Sequence, residues 1–164
     1  MSLSKVDRLI MVATKTILGF TVFFVFIYTV PIYNGFKDSE VVLAFINNKN
    51  AVIGETRFMV ELADTHEERV KGLSERKSLG EKEGLFFIFD IDDYHGIWMK
   101  DMNFPIDIVW LDSSLQIIDF KENASPSSYP ETYKPNKKAL YVLEVPKNFI
   151  SQNYLKIGDQ MTIL

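Results

Sequence analysis

The feature that most constrains this chain is an uncharged, almost wholly apolar stretch near its N-terminus. Residues 16–33 read TILGFTVFFVFIYTVPIY and contain no charged side chain. As an α-helix rising about 1.5 Å per residue, the stretch would extend about 27 Å, close to the roughly 30 Å of a bilayer's hydrocarbon core. A helix also satisfies its backbone hydrogen bonds within lipid. The stretch therefore predicts one transmembrane helix, with Tyr28 and Tyr33 where interfacial aromatic residues are expected.

The charges on either side of the stretch predict its orientation. Lys5, Arg8 and Lys15 precede it, whereas acidic residues outnumber basic ones by about six after residue 33. Because positive charge favours the cytoplasmic side, we expect the N-terminus in the cytoplasm and the C-terminal domain outside it, in a periplasmic or equivalent location. The predicted segments are a cytoplasmic basic segment at 1–15, a signal-anchor helix at 16–33, a tether at 34–40 and an extracytoplasmic β-rich domain at 41–164.

Two alternatives to an uncleaved anchor are a cleaved signal peptide and a buried helix of a soluble protein. A signal peptide has an apolar core of about 7–15 residues and a cleavage site with small side chains. The stretch here is longer, and its end at residues 30–33 reads VPIY. The sequence therefore favours a single-pass protein of the cytoplasmic membrane.

The composition excludes several classes of function. The chain has no cysteine, so it has no disulfide, thiolate nucleophile or cysteine-ligated zinc. The acidic domain lacks the clustered Lys and Arg that nucleic acid requires, so we expect no nucleic-acid partner. His66 and His95 are the two histidines, and they lie far apart in the sequence. Residues 90–93 read DIDD, which we interpret as a solvated turn rather than a calcium loop. We therefore predict no metal and no cofactor.

The remaining pattern predicts a β-rich domain. Residues 58, 60 and 62 are apolar and alternate with residues 57, 59 and 61, as in a half-buried strand. Strands are predicted at 41–46, 51–53, 56–62, 85–89, 97–99, 106–111, 115–120, 139–145 and 161–164. Short helices are predicted from residue 64 or 65 to Gly72 and at 147–154, and residues 121–138 form a polar loop. The predicted fold is α+β, with a mainly antiparallel, curled or barrel-like sheet, two short helices and the N-terminal transmembrane helix.

Charged residues within apolar runs indicate the candidate site. Asp107 lies in PIDIVWL, Glu144 in LYVLEV and Lys100 directly after IWM. Because a buried charge costs several kcal/mol unless it is paired, these residues and Arg76 are expected to pair or to line a pocket. The predicted ligand-binding residues are Arg76, Trp98, Lys100, Asp107 and Glu144. A structural ion-pair network and a catalytic carboxylate pair of Asp107 and Glu144 remain alternatives.

Several segments, in order, resemble a known family. They are ELA at 61–63, Arg69, GL at 72–73, Arg76, Leu79, GLF at 84–86, WMKD at 98–101, PID at 105–107, Pro126, YVLE at 141–144 and GD at 158–159. Over residues 55–164 the chain resembles the domain of unknown function 192 family of bacteria and archaea. The resemblance implies a compact β-rich fold and supplies no reaction or cofactor. Ser74 and Asp101 depart from the residues common in the family, Met and Asn.

Three functions remain open at this point. The first is a non-catalytic module that binds a small polar ligand or an envelope component, with loop 121–138 as a flap. In it, Lys100 and Arg76 would hold an anionic group and Trp98 would stack on the ligand. The second is a hydrolase that acts on envelope glycans through Asp107 and Glu144. The third is a purely structural domain of a membrane complex, which a large exposed apolar patch would support.

Overall fold

A computed structural model describes residues 50–164. The transmembrane helix predicted at 16–33 and the strand predicted at 41–46 lie outside these residues. Within residues 50–164, no helix has the length and apolar character needed to cross a bilayer.

The described domain contains nine strands and two short α-helices. The strands are β1 (Asn50–Ile53), β2 (Thr56–Ala63), β3 (Glu83–Asp93), β4 (Ile97–Trp98), β5 (Ile106–Leu111), β6 (Ile117–Ala124), β7 (Thr132–Tyr133), β8 (Ala139–Pro146) and β9 (Met161–Ile163). The helices are α1 (His66–Lys71) and α2 (Phe149–Gln152), and a 3₁₀ helix spans Pro126–Ser128.

Seven strands form one curled sheet in the order β6-β5-β8-β3-β2-β1-β9, and β4 pairs with β7 in a separate ribbon. Neighbouring strands are antiparallel except β2 and β3, which are parallel. The two edges of the sheet meet at one end, where the Met161 N–H donates to the Leu115 carbonyl at 2.9 Å. A bridge between Gln116 and Gln160 lies beside this bond. The predicted curled, mainly antiparallel sheet with two short helices is confirmed.

Both faces of the sheet are covered, which explains why β5 is buried at every position. On one face, an apolar cluster contains Leu85, Phe87, Ile108, Trp110 and Val142 from the sheet, and Leu73, Ile97 and Met99 from the segments that cover it. On the other face, Phe86 stacks on Tyr141 with ring centroids 5.2 Å apart, and Phe58 meets Phe149 of α2 edge-on at 5.3 Å. Burial of each large apolar side chain contributes about 1.5–3 kcal/mol to folding.

Helix α1 begins and ends as its sequence predicts. The Thr65 side chain accepts from the Glu68 N–H at 3.2 Å, and the Glu68 carboxylate accepts from the Thr65 N–H at 3.1 Å, which completes a capping box. Gly72 caps the other end with φ 50° and ψ −133°. Because a side chain disfavours positive φ, glycine is the residue that allows the chain to turn here toward the sheet.

Two local predictions were wrong. Residues 90–93 do not form a turn: β3 continues to Asp93, which pairs with Ala139 after a register shift beyond Ile88. Residues 121–138 are not a single loop, because β6 extends to Ala124 and the 3₁₀ helix and β7 follow. The pairing of β7 with β4 holds this segment beside Trp98.

Candidate functional site

Glu144 is the centre of the candidate site. It lies on β8, opposite Leu85 of β3 and Ile108 of β5, and so shares their face of the sheet. Leu85 in turn pairs with Glu61 of β2, so that four side chains form one row across the sheet. Glu144 is only 5% exposed, and its Oε2 atom has no hydrogen-bond partner among the residues that the structure describes. Such an orphaned buried oxygen is rare in folded proteins and calls for an explanation.

Burial raises the pKa of Glu144 to about 8, and the nearby Arg76 guanidinium offsets only part of this effect. Desolvation raises the pKa of an acid because it penalises the charged form. The side chain is therefore mostly a neutral carboxylic acid at pH 7, which has an O–H donor as well as acceptor oxygens.

Arg76 lies near Glu144 but is held by another carboxylate. Its two terminal nitrogens donate to Glu61, at 2.9 Å to Oε1 and 2.7 Å to Oε2. These hydrogen bonds raise the pKa of Arg76. The bidentate pair holds the guanidinium on Glu61, so Arg76 makes its hydrogen bonds to Glu61 and acts on Glu144 only through its charge.

Gly72 covers the Glu144 carboxyl. A Cβ atom on Gly72 would lie 3.9 Å from Glu144 Oε2 and 3.5 Å from Phe87 Cζ. Two depressions meet at this glycine. One is an open cleft of about 450 Å³ that Glu61, Arg76 and Gly72 help to line. The other is a cavity of about 50 Å³ lined by Gly72, Glu144 and Trp98, among others.

Trp98 and Tyr129 form an aromatic pair at the edge of the smaller cavity. Their side chains are 46% and 47% exposed, and their rings meet edge-on with centroids 6.1 Å apart. The Lys100 ammonium lies 5.8 Å from the Trp98 ring centroid, within the range of a cation–π contact. The Ser74 hydroxyl donates to the Lys100 carbonyl at 2.8 Å, which joins this aromatic pair to the segment that covers Glu144.

Asp107 lies away from this group. It pairs with Val145, the residue after Glu144, so its side chain is on the opposite face of the sheet. There it is fully buried and accepts two backbone hydrogen bonds, from Asn123 N–H at 2.8 Å and Ile150 N–H at 3.0 Å. Asp107 thus ties β6 and the start of α2 to β5, and it is a structural acceptor.

The structure therefore brings together four of the five predicted site residues. Glu144 and Trp98 share the small cavity, Lys100 contacts Trp98, and Arg76 lines the adjacent cleft. Lys100 is exposed rather than buried, because it follows β4 in a turn. Within residues 50–164, no salt bridge joins Asp107 or Glu144 to Lys100 or Arg76. The same residues contain no cluster of three or more His, Cys, Asp or Glu side chains that could hold a metal ion.

Sequence reasoning missed Gly72 and Tyr129 as parts of the site. The sequence places Gly72 at the end of α1 and among the residues of the family resemblance, and it places Tyr129 in the loop predicted at 121–138. The sequence signals were present, since Gly72 follows a capping box and Tyr129 is an aromatic residue in a polar stretch. Neither signal indicates which part of the sheet the residue approaches.

Comparison with known proteins shows the family to which this chain belongs. A family model for DUF192, described as "Uncharacterized ACR", matches residues 46–163. The chain therefore belongs to the domain of unknown function 192 family. Its description names no reaction and no ligand.

Individual relatives agree with this assignment. A UPF0127 protein of Thermococcus kodakarensis is 33% identical over 102 residues, which cover 61% of this chain and 61% of the relative. The chain thus spans about three fifths of the length of that curated relative. A crystal structure of a protein of unknown function from Novosphingobium aromaticivorans matches with a TM-score of 0.65 and 27% identity, covering 69% of this chain and 83% of that one.

A second solved structure, from Sinorhizobium meliloti and named as a candidate transcription regulator, matches with a TM-score of 0.66 and 24% identity. It covers 69% of this chain and 91% of that one. At this identity the likeness shows the fold alone.

Proposed function

We propose that this protein is a membrane-anchored binding module that takes up a small polar ligand, or part of an envelope component, between Glu144 and Trp98. One observation carries the proposal. Glu144 Oε2 is buried and has no hydrogen-bond partner within residues 50–164, and Glu144 lines the same cavity as the half-exposed Trp98. A ligand that bonded to this oxygen would satisfy it.

The contrast with Asp107 supports a ligand at Glu144 rather than a purely structural role. Both carboxyl groups are buried in the same sheet, and Asp107 has a backbone N–H on each oxygen. An unsatisfied buried polar group costs on the order of 1–3 kcal/mol. A buried acid with a purely structural role would be expected to have hydrogen-bond partners within the protein, as Asp107 does.

The alternative hydrolase is not supported by this geometry. Glycoside hydrolysis requires two carboxyl groups that flank one bond from a shared cleft, about 5–10 Å apart. Asp107 and Glu144 face opposite sides of the sheet. We therefore propose binding without catalysis.

The proposed location of the protein at the membrane is based on its sequence. The uncharged stretch at 16–33 with Lys5, Arg8 and Lys15 before it supports a single-pass anchor in the cytoplasmic membrane, with the domain outside. A ligand on that side would be an envelope component or a solute that enters the envelope. The acidic balance of the domain disfavours DNA, so a role in transcription is not proposed.

The test is ligand-observed saturation-transfer NMR on the full-length chain in detergent micelles. The panel contains monosaccharides, a wall disaccharide, amino acids and small carboxylates. We expect at least one compound to bind, and we expect Glu144→Met and Trp98→Ala each to reduce its affinity at least tenfold. Glu55→Gln and Tyr154→Phe are matched controls, because Glu55 and Tyr154 line a different depression. No binding by any compound, or binding that survives both site variants, contradicts the proposal.

A further inference from the structure

Resting on the proposed function, we infer that the ligand is a pyranose bearing an acetamido group, that is, an N-acetylhexosamine. In this arrangement the Glu144 carboxyl donates a hydrogen bond to the acetamido carbonyl oxygen in the cavity, and the sugar ring lies against Trp98. Three features of the site favour this ligand: the hydrogen-bonding character of Glu144, the charges around it and the shape of the opening.

Glu144 is placed to act as a donor. Its neighbours across the sheet are Leu85 and Ile108, which offer no charge, and Arg76 is held by Glu61. A carboxyl group buried among apolar side chains without a paired cation remains protonated. Its raised pKa, about 8, agrees with this surrounding. A protonated acid offers its O–H to an acceptor, so the cavity suits a carbonyl oxygen.

The charges around the cavity disfavour a cationic ligand. Arg69 and Lys71 of α1 also line it, and Lys100 lies against the adjacent Trp98 ring. An ammonium group entering the cavity would approach these like charges while it faced a neutral acid.

A fully charged anion also finds few uncommitted partners. The Arg69 guanidinium donates to the carbonyl of Ile88 at 2.7 Å and to that of Asp64, and it lies 3.9 Å from the Asp90 carboxylate. Arg76 is paired with Glu61. Because both guanidinium groups already have acceptors, a carboxylate or phosphate would find only the Lys71 and Lys100 ammonium groups beside a protonated acid, whereas a neutral carbonyl accepts directly from that acid.

The shape of the opening selects a small substituent on a ring. A cavity of about 50 Å³ has room for a group of a few atoms and is small for a whole sugar ring. Outside it, Trp98 and Tyr129 present exposed aromatic surface with apolar character. A pyranose can lie against that surface while its acetamido group enters the cavity. A sugar ring on the face of Trp98 that Lys100 now contacts would displace the Lys100 ammonium.

The experiment compares three probes that share one ring and differ at a single position: N-acetylglucosamine, glucosamine and glucose. Binding to the full-length chain in micelles is measured by saturation-transfer NMR at pH 6 and pH 9.5. We expect N-acetylglucosamine to bind at least tenfold more tightly than the other two at pH 6, with its methyl group receiving the strongest saturation. Its affinity should fall roughly 30-fold at pH 9.5, because the donor is lost above a pKa of about 8.

Two variants separate donation from other roles of Glu144. Glu144→Gln retains an N–H donor, so N-acetylglucosamine should still bind and the pH dependence should disappear. Glu144→Met has no donor, so binding should be lost at both pH values. Binding of glucosamine that strengthens with pH, or equal binding of glucose, would overturn the inference and leave the proposed function standing. If none of the three sugars binds, the inference fails; the proposed function also fails if its wider panel gives no ligand.

Discussion

Asp107 and Glu144 lie on adjacent strands, β5 and β8, yet their side chains point to opposite faces of the same sheet. Asp107 accepts a backbone N–H on each oxygen, whereas Glu144 Oε2 has no partner among the described residues. Two buried acids of one sheet therefore have different roles. Asp107 ties neighbouring elements to β5, and we propose that Glu144 meets a ligand.

Replacement of Asp107 should destabilise the domain. Asp107→Ala removes the acceptor of the buried Ile150 N–H and of the partly buried Asn123 N–H, and an unsatisfied buried group costs about 1–3 kcal/mol. We expect the free energy of unfolding, measured by urea denaturation, to fall by about 2–5 kcal/mol. Asp107→Asn keeps one acceptor oxygen and should cost less. A loss below about 0.5 kcal/mol in the Ala variant would show that the two bonds contribute little.

The stability of the protein should depend on pH through Glu144. Its pKa in the folded state is about 8, against an ordinary value of 4.5, so the folded state binds the proton more tightly than the unfolded state. Stability contributed by this group is fully present below about pH 4.5 and is lost as the pH rises toward 8. The free energy of unfolding should therefore change by at most about 1.4 kcal/mol per pH unit through this group. The contribution of Glu144 is measured by comparing the free energies of unfolding of wild type and Glu144→Gln across pH 5–9. A difference between them that does not change with pH would contradict the raised pKa of Glu144.

Gly72→Ala should affect both stability and the site. At φ +50° a side chain strains the backbone, although the added Cβ would meet its neighbours at ordinary distances of 3.5 Å or more. We expect a loss of about 1–3 kcal/mol in the free energy of unfolding. Gly158→Ala is the matched control, because Gly158 also has positive φ, at +98°, and nothing lies near its Cβ position. Both variants should lose stability, and only Gly72→Ala should shift the pKa of Glu144 or weaken the binding of N-acetylglucosamine.

The predicted membrane topology can be tested because the chain has no cysteine. Single cysteines introduced as Ser2→Cys and Tyr154→Cys would report on the two sides of the membrane, and Tyr154 is 83% exposed. In spheroplasts, a membrane-impermeant maleimide should label the Tyr154→Cys variant and should label Ser2→Cys only after lysis. The reverse pattern would invert the orientation, and labelling of neither variant before lysis would place the domain in the cytoplasm.

The sequence predicted most of the described fold because its strands carry strong local patterns. β5 was predicted with its observed bounds, since PIDIVWL lies between a proline and a turn at Asp112. The turn predicted at 90–93 was wrong because the acidic residues there remain in β3, whose pairing with β8 resumes at Asp93. That pairing depends on residues some 46 positions away, and no local pattern contains it.

The candidate site was harder to predict for a similar reason. Apolar runs around Asp107 and Glu144 correctly indicated that both side chains are buried. Which face each occupies depends on the register between β5 and β8, and a shift of one residue would exchange the faces. Arg76 was expected to pair with these acids, but its partner is Glu61, which joins the row because the register between β2 and β3 places it opposite Leu85.

The most direct test of the central claim is a ¹³C NMR titration of the Glu144 side-chain carboxyl carbon in the full-length protein, without and with saturating N-acetylglucosamine. The resonance is assigned by its loss in Glu144→Gln. We predict a pKa near 8 for the free protein and a higher value with the sugar, because the ligand binds the protonated acid. A pKa near 4.5, or a pKa near 8 that no compound of the wider panel changes, would contradict a ligand site at Glu144.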